Sequence, residues 1–168
     1  MKKHALIGGL DTPKRVSLAQ MEARARAARA RGKRMVFTNG CFDLLHPGHV
    51  GYLEMARRLG DYLVVGLNAD VSVRRIKGPA RPINPEAARA RVLAGLACVD
   101  YVVIFRSQRV TPLLRRLKPE IYVKGGDYTL ATLDQSERRA VECGGGAIRI
   151  LPVWKGFSTT AILKKVFG

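Results

Sequence analysis

The stretch RMVFTNGCFDLLHPGHVGYLEMARRLGDYLVVGLN, residues 34–68, decides the architecture. RMVFT is a short apolar run without strict alternation, the pattern of a strand buried on both faces. Pro47 suits a first helical turn, where its missing N–H would have no partner anyway, and Gly60 suits a helix stop. YLVVGL, residues 62–67, reads as a second buried strand. Strand, helix and strand make a βαβ unit, which is right-handed in nearly all proteins. His46 and His49, two of the chain's three histidines, sit on the turn between the first strand and the helix.

The pattern extends outward in both directions. Upstream, Ser17 followed by Gln20 predicts a capping box, with a helix running to about Arg31 and Gly32 ending it. Downstream come a helix over Asn84 to Leu96, the strand YVVIF, the short helix TPLLRRL and the strand IYVKGG. A helix in DQSERRAVECGG, a last strand AIRILPV and a terminal helix STTAILKKVF complete the chain. Helices alternating with such strands imply an α/β fold: a doubly wound, Rossmann-like parallel sheet of about five strands. The expected organisation is a single domain over residues 1–168, with 1–33 as an N-terminal extension and helix and 34–168 as the core. RIKGPARPINP, Arg75 to Pro85, is proline-rich and basic and is expected as a surface loop beside the site.

Composition narrows the classes. The 168 residues are 47% hydrophobic, which suits one globular core. No apolar run approaches the roughly 18 residues of a membrane helix, and the N-terminus carries too short an apolar patch for a secretory signal. Three cysteines, at 41, 98 and 143, fit neither a disulfide framework nor a zinc cluster. A reduced, cytoplasmic setting is the simplest reading. The formal charge of +17 favours polyanionic or phosphorylated partners without choosing among them. Much of it lies in EARARAARARGKR, Glu22 to Arg34, which reads either as a solvated helix face or as a nucleic-acid stripe. No interleaved aromatics support the second reading, so no specific nucleic acid is expected.

In an open parallel sheet, ligands bind outside the carboxyl ends of the strands. Four polar clusters fall there: Asn39 to Asp43 leading into His46 and His49; Asn68 with Asp70; Lys124 to Tyr128; and Ser158 to Thr160. Free backbone N–H groups at the helix start beside His46 favour an anion. Imidazoles there can donate to phosphate oxygens as charge builds in a transition state, and Gly48 permits a close backbone approach. Zinc would also explain paired histidines, but no third ligand with sensible spacing appears. Neither GxxxxGK nor GxGxxG occurs, which argues against kinases and dehydrogenases.

HPGH after NGCFD resembles the HxGH signature of the nucleotidyltransferase superfamily, and GFSTTAI resembles its C-terminal Ser-Thr-Thr segment. TNGCFDLLHPGH, LNADVSVRRIKGPARPINP, VKGGDY and STTAIL, in this order, are similar to the D-glycero-β-D-manno-heptose 1-phosphate adenylyltransferases. These occur alone or as the C-terminal half of a bifunctional kinase–adenylyltransferase. The resemblance implies transfer of AMP from ATP to the sugar 1-phosphate, giving ADP-heptose for lipopolysaccharide inner-core synthesis. A separate kinase and phosphatase would supply the substrate, Mg2+ would be held mainly by ATP phosphates, and a homodimer is compatible.

Carried over, the resemblance gives His46 and His49 contacts to the ATP phosphates, with Lys77 and Arg89 as further phosphate-binding, catalytic residues. Thr38, Asn39, Gly40, Cys41 and Phe42 would wrap the nucleotide by main-chain contacts, with Asp43 orienting the turn and Gly48 nearby. Lys124, Gly126 and Asp127 would lie beside the nucleoside, and Ser158, Thr159 and Thr160 would cap a helix facing the phosphates. Asn68, Asp70 and Arg81 would meet the sugar phosphate. No metal ligation by side chains is expected. The rivals are a glycerol-3-phosphate or other alditol phosphate cytidylyltransferase, an FMN adenylyltransferase and, outside enzymes, a nucleic-acid-binding module.

Overall fold

A computed structural model describes residues 9–126, 128–129, 131–152 and 156–167. Its described strands are β1 (Met35–Gly40), β2 (Tyr62–Asn68), β3 (Tyr101–Phe105), β4 (Ile121–Gly125) and β5 (Ala147–Leu151). They form one parallel sheet in the order β3-β2-β1-β4-β5. The helices are α1 (Leu18–Arg29), α2 (Pro47–Arg57), α3 (Asp70–Lys77), α4 (Glu86–Gly95), α5 (Thr111–Leu117), α6 (Gln135–Cys143) and α7 (Thr159–Phe167). The doubly wound α/β sheet expected from the alternation is therefore the observed one.

Each face of the sheet carries its own apolar layer. Met21 and Ala25 of α1 join Phe37, Leu114, Tyr122 and Val141 on one side. Leu53 and Ala56 of α2 join Val36, Leu63, Leu93 and Val123 on the other. Gly66 lets the first layer close: a Cβ there would stand 2.7 Å from the Phe37 ring. Only two α1 side chains are buried, so its arginines mostly face outward. The Ser17–Gln20 capping box forms in both directions, an arrangement worth about 1 kcal/mol. Ahead of α1, Lys14 and Val16 pair with Val102 along the outer edge of β3.

The chain reverses direction across the sheet after β3, where α5 carries it back to β4 on the far side of β1. β1 matches six residues of β2 but only Val36 and Phe37 against Ile121 and Tyr122 of β4. Beyond those pairs the two strands part. Tyr52 of α2 bridges the gap: its hydroxyl donates to the Val123 carbonyl (3.0 Å) and lies 2.8 Å from Thr38 Oγ1. With the tyrosine proton committed, Thr38 is the donor in that second bond. This divergence is the topological switch point, where open α/β sheets place their ligands.

One sequence expectation needs correcting here. DVSVRRIK forms α3, so Arg75 to Lys77 are the last turn of a helix and not the start of a loop. Its apolar positions are too few to announce a helix. Asp70 in the first turn, with Arg74, Arg75 and Lys77 in the last, complements the helix dipole instead.

Candidate active site

A cleft of about 620 Å3 opens where β1 and β4 part. The β1 end and its outgoing turn line it through Asn39 to Asp43, α2 through His46, Gly48, His49 and Tyr52, and β4 through Lys124 and Gly125. Ser158, Thr159 and Thr160 close one side, and Asn68, Lys77 and Arg81 the other.

The two histidines stand over the start of α2. His46 is the N-cap residue, extended at φ −142°, and its Nδ1 accepts from the His49 backbone N–H at 3.3 Å. A neutral His46 therefore carries its proton on Nε2, as a donor. The rings stack with centroids 3.7 Å apart, and the Phe42 ring meets His49 edge-on. Phe42 itself holds a left-handed φ of +43°, a costly conformation for a bulky residue and one that clusters at functional sites. A Cβ at Gly48 would stand 3.1 Å from His46 Nδ1 and 3.3 Å from the Phe157 Cβ, so glycine permits this packing. His49 Nδ1 is buried with no hydrogen-bond partner. The Leu44 carbonyl favours a proton on that ring but falls short of hydrogen-bond geometry.

Burial lowers the His49 pKa to about 4, and His46 beside it lowers it further. Burial also lowers that of His46. At neutral pH the pair is thus uncharged, a stack of polar rings facing a cleft with one nitrogen unmatched. The N-terminus of α7 faces the same space, with Ser158 Oγ capping the Ala161 N–H at 3.0 Å and Thr159 Oγ1 donating to the Leu44 carbonyl.

Asp43 does what a turn-former should. Its buried carboxylate accepts from the backbone N–H groups of Ile83 (2.9 Å) and Asn84 (3.0 Å) and from Arg81 Nε (2.6 Å). Burial pushes its pKa up, but those donors outweigh it and the net shift is downward. Arg81 is therefore tied to Asp43 while lining the cleft.

Not every expected site residue reaches the cleft. Arg89 does not line it: its side chain is fully buried, with Nε bonded to the Asn84 carbonyl and the two terminal nitrogens to the carbonyls of Cys41 and Asn68 and to Asp70. Four of its five N–H bonds are thereby engaged within the protein, so a phosphate contact by Arg89 is not what this geometry offers. Asp70 is held in the same knot, with its backbone N–H on Glu86, and faces Arg89 rather than the cleft. Thr38 is enclosed beneath Tyr52, and Gly126 lies on an exposed turn outside the lining. Asp127 lies outside the described residues.

Among the lining residues that the sequence reading missed are Tyr52, Gln108, Glu137 and Phe157. Tyr52 and Glu137 lie on helices whose amphipathic pattern hides them, whereas Phe157 and Gln108 precede α7 and α5. Phe157 could have been marked out as the aromatic next to the Ser-Thr-Thr segment, and its ring stacks on His46. Nothing in the sequence singles out Glu137. The described residues hold no cluster of three or more His, Cys, Asp or Glu able to bind a metal, and none of the described helices is long and apolar enough to cross a membrane.

A family model described as cytidylyltransferase-like matches residues 37–165. The bifunctional protein HldE of Syntrophotalea carbinolica is 53% identical over 82% of this chain and 28% of its own length. HldE of Citrifermentans bemidjiense is 47% identical over 96% of this chain and 33% of its own. The chain thus spans about a third of the curated relatives it matches. Among solved structures, the lipopolysaccharide core biosynthesis protein of Thermoplasma volcanium matches at TM-score 0.60 and 30% identity, covering 75% of this chain and all of that one. Pantoate-beta-alanine ligase from Francisella tularensis matches at TM-score 0.61 and 14% identity, covering 90% of this chain and 76% of that one, and shares the fold alone.

Proposed function

From the premise that this chain belongs to the cytidylyltransferase-like family and is a nucleotidyltransferase, we propose that it transfers AMP from ATP to D-glycero-β-D-manno-heptose 1-phosphate. A phosphate oxygen of the sugar attacks the α-phosphorus in line, the bond to the β-phosphate breaks, and pyrophosphate leaves. The observation that carries the chemistry is the neutral, stacked His46–His49 pair lining the cleft over the start of α2. The acceptor rests on the identity with the HldE proteins and on the lipopolysaccharide core biosynthesis protein.

No protein nucleophile is needed, so the residues work by placement and charge. His46 Nε2 donates to a nonbridging oxygen, and His49 supplies the donor that α2 alone lacks. The α2 and α7 N-termini add aligned backbone dipoles. Lys77, at the end of α3, meets the outer phosphates, and Arg81, steadied by Asp43, meets the sugar phosphate. Asn68 lines the same end, its amide held by Ser72 at 3.0 Å.

Mg2+ fits this site only through its substrate. The lining carboxylates, Asp43 and Glu137, are both occupied by protein donors, so phosphate and water oxygens would hold the ion. When bound, it would neutralise the leaving pyrophosphate. The test is a pyrophosphate-release screen of nucleoside triphosphates against sugar and alditol phosphates. ATP with heptose 1-phosphate should lead. A clear preference for CTP with glycerol 3-phosphate would replace this reading with the cytidylyltransferase one.

A further inference from the structure

At the β4 end of the cleft lies a buried acid for which nucleotidyl transfer has no stated use. Glu137 of α6 is 8% exposed and lines the cavity. Its Oε2 is met by Lys124 Nζ at 3.1 Å and by the Tyr122 hydroxyl at 2.7 Å. The same hydroxyl lies 2.7 Å from Asn39 Oδ1. That arrangement asks two protons of a phenol that has one.

The charges settle where the proton goes. The Lys124 ammonium forms an ion pair with the oxygen that Tyr122 also touches. An ionised carboxylate can only accept, so the phenol donates to Glu137. Burial, reinforced by Glu137, raises the Tyr122 pKa and keeps that proton in place. The Tyr122 oxygen is then an acceptor toward Asn39. A half turn of the Asn39 amide, which exchanges nitrogen and oxygen without changing its shape, supplies the donor. Its carbonyl oxygen is left as an acceptor on a residue that lines the cleft.

We propose that Glu137 and Tyr122 are positioning residues for nucleotide selection, locking the Asn39 amide so that it accepts a hydrogen bond from the nucleoside. This rests on the nucleotidyl-transfer reading and deepens it. The ligand group is an N–H or O–H donor, either a ribose hydroxyl or an exocyclic base amine. The placement agrees with the charges in the cleft. Glu137 compensates Lys124, so the β4 end suits the uncharged nucleoside, while the helix starts near His46 and Ser158 suit phosphates.

The experiment is calorimetric binding to the whole chain, which needs no acceptor substrate. The ligands are ATP, 2′-deoxyATP, 3′-deoxyATP and purine riboside triphosphate, which lacks the 6-amino group. The proteins are wild type, Tyr122→Phe and Glu137→Met, the second removing the acceptor of the phenol proton, with melting curves as folding controls. Wild type should bind one analogue about tenfold more weakly than ATP, the worth of one hydrogen bond left unmade. Which analogue it is separates ribose from base. In each variant that penalty should fall to about threefold or less, because ATP weakens while the affected analogue does not. If Tyr122→Phe disturbs packing, Glu137→Met, close in volume and without an oxygen to accept the phenol proton, keeps the comparison usable. Equal binding of all four by wild type, or an unchanged penalty in folded variants, overturns the relay. ATP that binds with the expected pattern but is not transferred to heptose 1-phosphate refutes the proposed acceptor and leaves the relay supported.

Discussion

Two polar corners flank the same β1 turn and are built on opposite principles. At Arg89, a fully buried cation has nearly every N–H matched by three carbonyls and Asp70. At His49, a buried nitrogen has no match, and its ring is held neutral by burial and by its neighbour. A saturated polar group is a fixture, since nothing remains with which to bind a ligand. An unsaturated one costs stability, and His49 bears that cost on an enclosed nitrogen while its ring lines the cleft. The difference separates residues that shape the cleft from those that act in it.

The largest expected effect tests the saturated corner. Arg89→Met strands three carbonyls and a carboxylate, and should destabilise by about 3 to 5 kcal/mol, as breaking a buried pair does. Denaturant melts would show it, while the folded fraction should keep turnover close to that of the wild type. Normal stability with lost turnover would invert the comparison and return Arg89 to the phosphates.

His49→Ala should do the reverse. Turnover should fall by at least about a hundredfold, as loss of a transition-state donor predicts, with a melting temperature near that of the wild type. A folded variant with normal pyrophosphate release would remove the imidazoles from the mechanism. Lys77→Ala should cost about 1.5 kcal/mol in kcat/KM, at the lower end for a charged hydrogen bond because the side chain is exposed. Arg26→Ala on α1 is the control and should stay within about 0.5 kcal/mol in stability and activity. A larger loss at Arg26 than at Lys77 would move the anion site to the wrong face.

A further effect is in pH. The unfolded chain gains a proton on His49 as pH falls through 6.5, whereas the folded chain does so only near 4. Folded protein therefore loses stability across that window, and regains it as pH rises. His49→Asn, which does not titrate, should show a smaller drop in melting temperature between pH 7 and pH 5. An equal drop would mean that the pair is already protonated in the fold.

The βαβ unit was legible because Met35–Gly40, Pro47–Arg57 and Tyr62–Asn68 each carry a local signal: an apolar run, an N1 proline and a second apolar run. α3 was not, because it is only eight residues long and most of them are polar or charged, so it reads as loop beside the prolines that follow. In the site, the histidines and the Ser-Thr-Thr segment declare themselves by residue type and position. Arg89 looked like a ligand contact because arginine chemistry is the same whether its partners are phosphates or carbonyls; only the fold says which surround it. Glu137 and Tyr122 are far apart from Asn39 in sequence and ordinary in their own segments. Their meaning arises only where β4 is laid beside β1.

That lateral contact also sets a timetable. The β1–β4 seam joins Val36 and Phe37 to residues half a chain away, across a bigger loop than any β1–β2 pairing, and with fewer rungs. Long loops close late and short ladders open early. β1, β2 and β3 can assemble while the segment destined to be β4 is still searching, so the nucleotide cleft comes into being with the last crossover. In hydrogen exchange, amides along β1–β2 should outlast those at the seam, and a ligand spanning both strands should slow the seam most. Binding then acts as the missing rungs of the ladder, fastening two halves of the sheet that the backbone alone joins lightly.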